Sequence, residues 1–225
     1  VYLNCLSDNP MKYIKRPKKK DEVKRVFLSM EDLNKMLLSV KKPSYCLDST
    51  KRKNKWKDRD FLILYLLMNT GMRETALCEI NVQDINFKTK QLNVTDKRDK
   101  NHVYVITDEL EQLLKQWIVE RQTVLSGYPN TDALFVSEKR NRISSDAVRS
   151  LVQKYSLEAL GYAITPHKLR SSFVSLYYQA SGNDIEATKE AVGHSSIATT
   201  SRYIVKQNDS RAEAARFMSD HLILS

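Results

Sequence analysis

Eight consecutive apolar residues, Phe61 to Met68, form the longest nearly uncharged stretch of the sequence. A helix made of such residues is apolar on every face, so it has to be buried on every face. We therefore predict a central helix that ends at Gly71 and around which the other elements pack. The stretch is much shorter than the roughly 20 apolar residues of a transmembrane helix, which excludes a membrane-spanning protein.

Few residues interrupt regular structure, since only five glycines and five prolines occur among 225 residues. Long amphipathic windows dominate, and a hydrophobic content of 41% is enough to build a core. We predict one compact core with appendages, mainly α with a small antiparallel β-sheet formed by residues 92–95 and 103–106. The three widely spaced cysteines, Cys5, Cys46 and Cys78, favour a reducing, cytosolic compartment over a disulfide framework.

Start signals and apolar periodicity predict several further helices. Ser29 opens the first, which ends ahead of Pro43, and residues 44–57 are predicted to form a basic loop. Thr165 followed by Pro166 is a strong start signal, because proline at the first helical position lacks only a hydrogen that the helix end leaves unpaired. Two helices are predicted to begin at Asp108, which can cap the helix with Glu111 three residues on, and at Asp146. The remaining predicted helices cover residues 74–79 and about 184–192, 197–204 and 210–222.

The net charge of +10 is concentrated in two segments. Residues 12–25 hold eight basic and two acidic side chains, and residues 51–60 hold six basic and two acidic ones, so the rest of the chain is neutral overall. A single basic run is most simply a solvated linker or loop. Two dense runs on an otherwise neutral chain favour binding to a polyanion, which should weaken steeply as salt rises.

Four polar residues in the second half of the chain are weak signals when each is taken alone. His167 and Arg170 lie three apart in the first turn of a helix, near its positive end, where they could grip one anion together or form an ordinary surface pair. His194 follows Gly193 at a helix end, which is typical of a capping histidine. Tyr203 is one of 11 tyrosines.

Their order and context are more specific. The sequence contains Thr70-Gly71-Met72-Arg73 after an apolar helix, then the hairpin Asp96-Lys97-Arg98-Asp99-Lys100, then His167-Lys168-Leu169-Arg170 after Thr165-Pro166, and finally Gly193-His194 with Tyr203 nine residues further on. In this order the motifs strongly resemble the tyrosine recombinase (phage integrase) family, over essentially residues 10–210. The resemblance implies the tyrosine recombinase catalytic-domain fold.

The resemblance also implies a role for each matched residue. Tyr203 matches the nucleophile that forms a 3′-phosphotyrosyl bond with DNA and releases a 5′ hydroxyl. Arg73 and Arg170 match the two arginines that clamp the scissile phosphate. Lys97 matches the general acid that protonates the leaving oxygen, with Lys100 as the fallback. His167 matches the histidine that helps to deprotonate the nucleophile or orients the phosphate, and His194 matches the one that donates a hydrogen bond to a nonbridging oxygen. This chemistry requires neither a metal ion nor another cofactor.

One position departs from the family pattern. Family members commonly carry an acidic residue three positions after the first arginine, where it supports that arginine, and here the position is Ala76. Glu74 or Glu79 could substitute, or the support could come from elsewhere in the chain.

The predicted organisation has three parts. Residues 1–25 form a basic linker with a remnant of an N-terminal core-binding domain, residues 26–208 form the catalytic domain, and residues 209–225 form a C-terminal helix or tail. The tail docks either on its own protomer or on a neighbouring one. Because only residues 1–9 precede the linker, we expect a catalytic-domain fragment or an unusually short family member.

The predicted function is site-specific DNA recombination by an integrase or transposase of a mobile genetic element, through a Holliday junction. The same residues would also serve a type IB topoisomerase-like nicking-closing enzyme, and the basic runs alone would serve a non-catalytic DNA-binding protein. The predicted partner is double-stranded DNA, on which the monomer assembles as a homo-tetramer, with an accessory directionality protein and no membrane.

We expect a bacterial cytoplasmic, nucleoid-associated protein. Basic side chains in the two charged runs, in the hairpin, and beside the catalytic motifs are predicted to contact DNA, chiefly through phosphates. They are Lys18, Lys19, Lys20, Lys51, Arg52, Lys100, Arg140, Arg142, Lys168 and Arg202.

Overall fold

The computed structural model describes residues 27–41, 47–96, 100–192 and 200–201, with only the backbone given for residues 47–54 and 100. These ranges form one mostly helical architecture with a small antiparallel sheet, which confirms the predicted fold class. No helix within them is long and apolar enough to cross a membrane. The elements are α1 (Met30–Lys41), α2 (Leu47–Thr70), α3 (Glu74–Glu79), β1 (Ile85–Asn86), β2 (Gln91–Asp96), β3 (Lys100–Val105), α4 (Asp108–Leu125), α5 (Ser145–Leu160), α6 (Pro166–Ala180) and α7 (Ile185–Ala191).

Helix α2 is the centre of the core, as its apolar stretch predicts. It packs against α1, α4 and α6, and its side chains from Leu62 to Leu64, together with Leu66 and Leu67, are almost fully buried. Each such side chain contributes about 1.5–3 kcal/mol relative to an exposed one. The helix ends where Gly71 takes a left-handed conformation, with φ of +60°.

The same helix corrects the loop predicted for residues 44–57. The backbone is helical from Leu47, so the basic run extends the central helix toward its N-terminus. Lysine and arginine are good helix formers, and no glycine or proline interrupts the segment. Trp56, which is 4% exposed, attaches it to the core. The prediction was wrong because it took high charge as a sign of irregular structure.

The helix starts agree with their polar sequence signals, with small shifts. Ser29 and Asp32 form reciprocal bonds of 3.1 Å between side chain and backbone at the start of α1. The capping residue of α4 is Thr107 rather than Asp108, and that of α5 is Ser144 rather than Asp146, because each hydroxyl accepts a backbone N–H three residues on. Both aspartates instead lie in the first turn, where their charge favours the positive helix end. The helix predicted over 210–222 and most of that over 197–204 lie outside the described residues.

The three strands pair antiparallel in the order β1-β2-β3. In the β2–β3 register, Leu92 faces Tyr104 and Asp96 faces Lys100. Strand β2 alternates strictly, and its buried positions are Leu92, Val94 and Asp96. Successive side chains of a strand point to opposite faces, so an aspartate lies on the same inward face as two core residues.

Two further polar arrangements join distant parts of the chain inside the core. Asp60 accepts from Arg59 Nε at 2.9 Å and from the Tyr155 hydroxyl at 2.9 Å, and all three residues are buried. Burial, followed by the charge and hydrogen bond of Asp60, raises the pKa of Tyr155. At the domain entry, the Leu28 N–H donates to Ser172 Oγ on α6 at 2.9 Å.

Candidate active site

The first site element is the turn between α2 and α3. The Thr70 hydroxyl donates to the Leu66 carbonyl at 2.7 Å and accepts from the Met72 N–H at 3.2 Å, which closes α2. Arg73 then lies at the start of α3 in an extended conformation. The backbone that carries the Arg73 side chain is therefore fixed on both sides, by the end of α2 and by the start of α3.

The second site element is the first two turns of α6. Arg170 is 5% exposed and donates from one Nη to the Gly71 carbonyl and from the other to the Val192 carbonyl at 2.9 Å. Bonds through both Nη atoms fix the plane of the guanidinium. They also connect three segments: the turn after α2, helix α6, and the end of α7 just before Gly193 and His194.

Gly71 is the contact point between that turn and α6. A Cβ added there would lie 2.5 Å from Cδ1 and 2.9 Å from Cγ of Phe173, and its φ of +60° already disfavours a side chain. The closeness of the backbone to α6 is what brings the Gly71 carbonyl within reach of Arg170. The turn thus needs glycine for its conformation and for its packing.

We predict that Gly71→Ala destabilises the domain through both effects. The left-handed conformation costs about 1 kcal/mol for a residue with a Cβ, and displacement of the Phe173 ring adds about 1–3 kcal/mol. Gly161→Ala is the matched control, because Gly161 also has a positive φ of +79° but has nothing within 4 Å of the added Cβ. Urea unfolding of both variants measures the difference, and equal losses would contradict the packing argument.

The third site element is the end of β2. Arg73 Nη1 forms an ion pair with Asp96 Oδ2, in which the Asp96 side chain is 6% exposed and that of Arg73 is 41% exposed. Neither candidate partner from the sequence supports Arg73: Glu74 pairs with Arg149 at 3.5 Å, and Glu79 lies 3.9 Å from Arg142. The structure therefore places the supporting carboxylate on the sheet.

The pKa of Tyr104 on β3 depends on burial and on the charges of the predicted site arginines and of Asp96. Burial raises its pKa, and the charges of Arg170, Asp96 and Arg73 all act on it, the two arginines lowering the pKa and the aspartate raising it. The two predicted arginines, which are 97 positions apart in the sequence, thus both act on the charge of one half-buried phenol. Neither Tyr104 nor Asp96 was predicted from the sequence to be a site residue.

A sequence signal for Asp96 did exist. Leu92, Val94 and Asp96 alternate in β2, so an inward-facing strand position carries a charge. A buried charge requires a partner, and an arginine is the most suitable one for a carboxylate. For Tyr104 the corresponding signal is weaker, because an aromatic residue on the inner face of a strand is ordinary core material.

The remaining predicted site residues fall into three groups. His167 is exposed in the first turn of α6, and Lys168 beside it is half-buried, with its pKa lowered by burial. Lys51, Arg52 and Lys100 are described only in their backbone, as parts of α2 and β3. The third group lies outside the described residues and consists of Lys18, Lys19, Lys20, Lys97, His194, Arg202 and Tyr203.

Arg140 and Arg142, which the sequence predicted to contact DNA, are engaged within the protein. Arg142 donates from Nη1 to the Cys78 carbonyl at 2.9 Å and from Nη2 to Asn81 Oδ1 at 2.6 Å. Arg140 donates to the Val124 carbonyl at 3.3 Å, and its guanidinium lies 4.8 Å from the Tyr128 ring centre. These bonds stabilise the connection between α4 and α5.

A groove of about 340 Å³ between α1, α2 and α4 includes none of the predicted catalytic residues; its lining is Val40, Lys41, Lys57, Asp58, Phe61, Leu113 and Gln116. Within the described part of the chain, no group of three or more His, Cys, Asp or Glu residues could hold a metal ion.

A mostly helical domain that brings two arginines together beside a small antiparallel sheet has the architecture of tyrosine recombinase catalytic domains. The chain belongs to the Phage integrase family, which matches residues 26–210.

The chain is similar to the tyrosine recombinase XerC of Psychromonas ingrahamii, with 33% identity over 204 residues, which are 90% of this chain and 63% of the relative. It therefore spans less than two thirds of that protein's length. A solved structure of the XerH site-specific recombinase, bound to palindromic difH substrate after cleavage, matches 87% of this chain and 53% of its own with a TM-score of 0.69 and 26% identity. The Tn1549 transposon integrase in complex with transposon right-end DNA shares the fold, with a TM-score of 0.64 at 18% identity over 96% of this chain and 72% of its own.

Proposed function

We propose that this chain is the catalytic part of a site-specific tyrosine recombinase, which cleaves and rejoins DNA strands through a 3′-phosphotyrosyl intermediate. The observation that carries the proposal is the convergence of Arg73 and Arg170 from distant parts of the sequence. Both are held by contacts within the protein, the first by Asp96 and the second by two backbone carbonyls. Such preorganised cations stabilise charge that develops on a phosphate.

The proposed reaction assigns one task to each matched residue. The Tyr203 phenol gives its proton to His167 as its oxygen attacks the scissile phosphorus, and the bond from phosphorus to the 5′ oxygen breaks. Arg73 and Arg170 bind the nonbridging oxygens, with a hydrogen bond from His194, and Lys97 gives a proton to the leaving 5′ oxygen. The phosphodiester energy is kept in the protein–DNA bond, so rejoining needs no ATP, and none of the tasks assigned above calls for a metal ion.

Double-stranded DNA is the proposed partner. The XerH structure is that of a recombinase bound to its difH substrate, and this chain shares its catalytic-domain fold. Phosphate contacts are proposed for His167 and Lys168 on α6, and for the basic residues of 12–25 and of the first turns of α2. We also propose that the chain assembles as a homo-tetramer on DNA and is a monomer when free.

The biological setting predicted from the sequence is a phage or other mobile element in a bacterial cytoplasm. XerC of Psychromonas ingrahamii stands closer in sequence, at 33% identity, than the Tn1549 integrase at 18%. A Xer-type setting is therefore the second candidate. Both settings use the same strand transfer and differ in the DNA sites that are joined.

The test is covalent trapping on nicked suicide duplexes that carry candidate element ends or Xer-type sites. We expect a covalent protein–DNA band in EDTA and without ATP, formed by the wild type and absent from Tyr203→Phe, which lacks the attacking oxygen. Mass spectrometry of the digested adduct should find the nucleotide on the peptide that contains Tyr203. Gel-shift binding of the variant should equal that of the wild type within about twofold, because the lost hydroxyl makes no charge contact with DNA.

Other outcomes separate the alternatives. Relaxation of a supercoiled plasmid that lacks any such site would favour the topoisomerase-like enzyme. If the wild type and Tyr203→Phe both bind DNA but neither forms an adduct on any duplex, the chain would be a non-catalytic DNA-binding protein. An adduct that persists in Tyr203→Phe would contradict the assignment of the nucleophile.

A further inference from the structure

We propose that Asp96 is a positioning residue of the cleavage reaction, which holds Arg73 and the base of the β2–β3 hairpin in one fixed relation. The inference rests on the proposed function. It concerns a residue to which the family resemblance assigns no role. Three observations carry it: the burial of the Asp96 carboxylate, the place of Asp96 in the sheet, and the partners of the other nearby acids.

The burial makes the pair strong. The Asp96 side chain is only 6% exposed, so an unpaired carboxylate there would carry a large desolvation cost. Arg73 supplies the opposite charge and yet keeps 41% of its side chain exposed. Asp96 thus holds the arginine by an ion pair while a large part of the Arg73 side chain stays exposed to solvent.

The position of Asp96 in the sheet determines where Arg73 is held. Asp96 is the last residue of β2, and its backbone pairs with Lys100 across the hairpin. The next residue along the chain is Lys97, the proposed general acid. A single carboxylate therefore ties a phosphate-binding arginine to the strand residue that immediately precedes the proposed proton donor in the sequence.

The other acids near Arg73 are occupied or absent. Glu74 pairs with Arg149, Glu79 lies beside Arg142, and position 76 is a buried alanine. Residues 73 and 76 lie on the same side of a helical turn, so an acid at 76 would reach Arg73 from α3. In this chain the support comes from the sheet instead.

The experiment measures the rate of adduct formation on the suicide duplex at saturating DNA, together with DNA affinity. Misplacing a reacting group by about 1 Å costs up to about 100-fold, so we expect Asp96→Ala to react about 10- to 100-fold more slowly with little change in affinity. Asp96→Glu should keep part of the rate. Glu74→Gln is the matched control, because it removes a neighbouring carboxylate–arginine pair, and it should react at the wild-type rate.

Two double variants separate positioning from a general structural role. If Asp96 acts through Arg73, then Arg73→Ala with Asp96→Ala should react no more slowly than Arg73→Ala alone. Ala76→Glu added to Asp96→Ala should restore part of the lost rate. Thermal melting checks that each variant is folded. If Ala76→Glu prevents folding, the double variant of Arg73 and Asp96 and the single variant Asp96→Glu still test the inference.

The outcomes distinguish this inference from the proposed function. A wild type that forms no adduct would overturn both. An active wild type with an equally active Asp96→Ala would overturn this inference alone. Additive losses in the Arg73 double variant would also overturn it, because they would show that Asp96 acts independently of the arginine.

Discussion

Arg170→Ala is expected to reduce adduct formation by about 10³- to 10⁵-fold, the range measured for arginines that stabilise a transferring phosphoryl group. The variant loses the charge on the phosphate and two bonds that hold the site together, to the Gly71 and Val192 carbonyls. Arg170→Lys should recover little, because an ammonium group cannot span two carbonyls in one plane. Single-turnover cleavage at saturating DNA measures the loss.

Arg121→Ala is the matched control for that loss. Arg121 is also buried, and its guanidinium also donates to two backbone carbonyls, those of Ala133 and Thr131, at the far end of α4. Both variants should be less stable, but only Arg170→Ala should lose activity per folded molecule. Equal loss of activity in the two variants would contradict a direct role of Arg170 in the reaction.

The largest stability effect is expected for Asp60→Ala, at about 3–5 kcal/mol. Arg59 is 7% exposed and gives two hydrogen bonds to Asp60 Oδ1, so the substitution leaves a buried cation without its carboxylate. The Tyr155 hydroxyl loses its acceptor in the same step. Urea unfolding followed by circular dichroism measures the free energy of unfolding.

Two variants show whether the buried charge is the cause. Tyr155→Phe removes only the hydroxyl bond and should cost about 1 kcal/mol. Asp58→Ala removes a partly exposed carboxylate two residues away on the same helix and should change stability by less than about 0.5 kcal/mol. If Asp58→Ala and Asp60→Ala were equally destabilising, the effect would come from the helix and not from the buried pair.

Local signals in the sequence predicted most of the fold. The apolar stretch in α2, the Thr165-Pro166 start of α6 and the β-rich segments 92–95 and 103–106 are each signals from residues within a few positions of one another. The errors arose where tertiary packing decides. The basic segment at the start of α2 contains good helix formers, but its attachment to the core through Trp56 is a contact that no property of residues 47–55 taken alone predicts.

The site was predicted to a similar degree. Motif order identified Arg73 and Arg170, but their supports come from positions 23 and up to 99 residues away, at Asp96 and Gly71. Sequence neighbours of Arg73, Glu74 and Glu79, were plausible supports because they are close along the chain. Only the three-dimensional structure shows that their carboxylates are directed to Arg149 and Arg142.

The contacts that gather the site around α6 have a consequence for biosynthesis. Leu28 binds Ser172 across 144 positions, and Arg170 joins Gly71 to Val192. While residues 166–192 are still inside the ribosome, the nascent chain therefore cannot form any of these contacts. The arginine clamp forms only when nearly the whole domain has been translated, so partly made chains lack the means to cut the DNA that the complete protein is proposed to cleave.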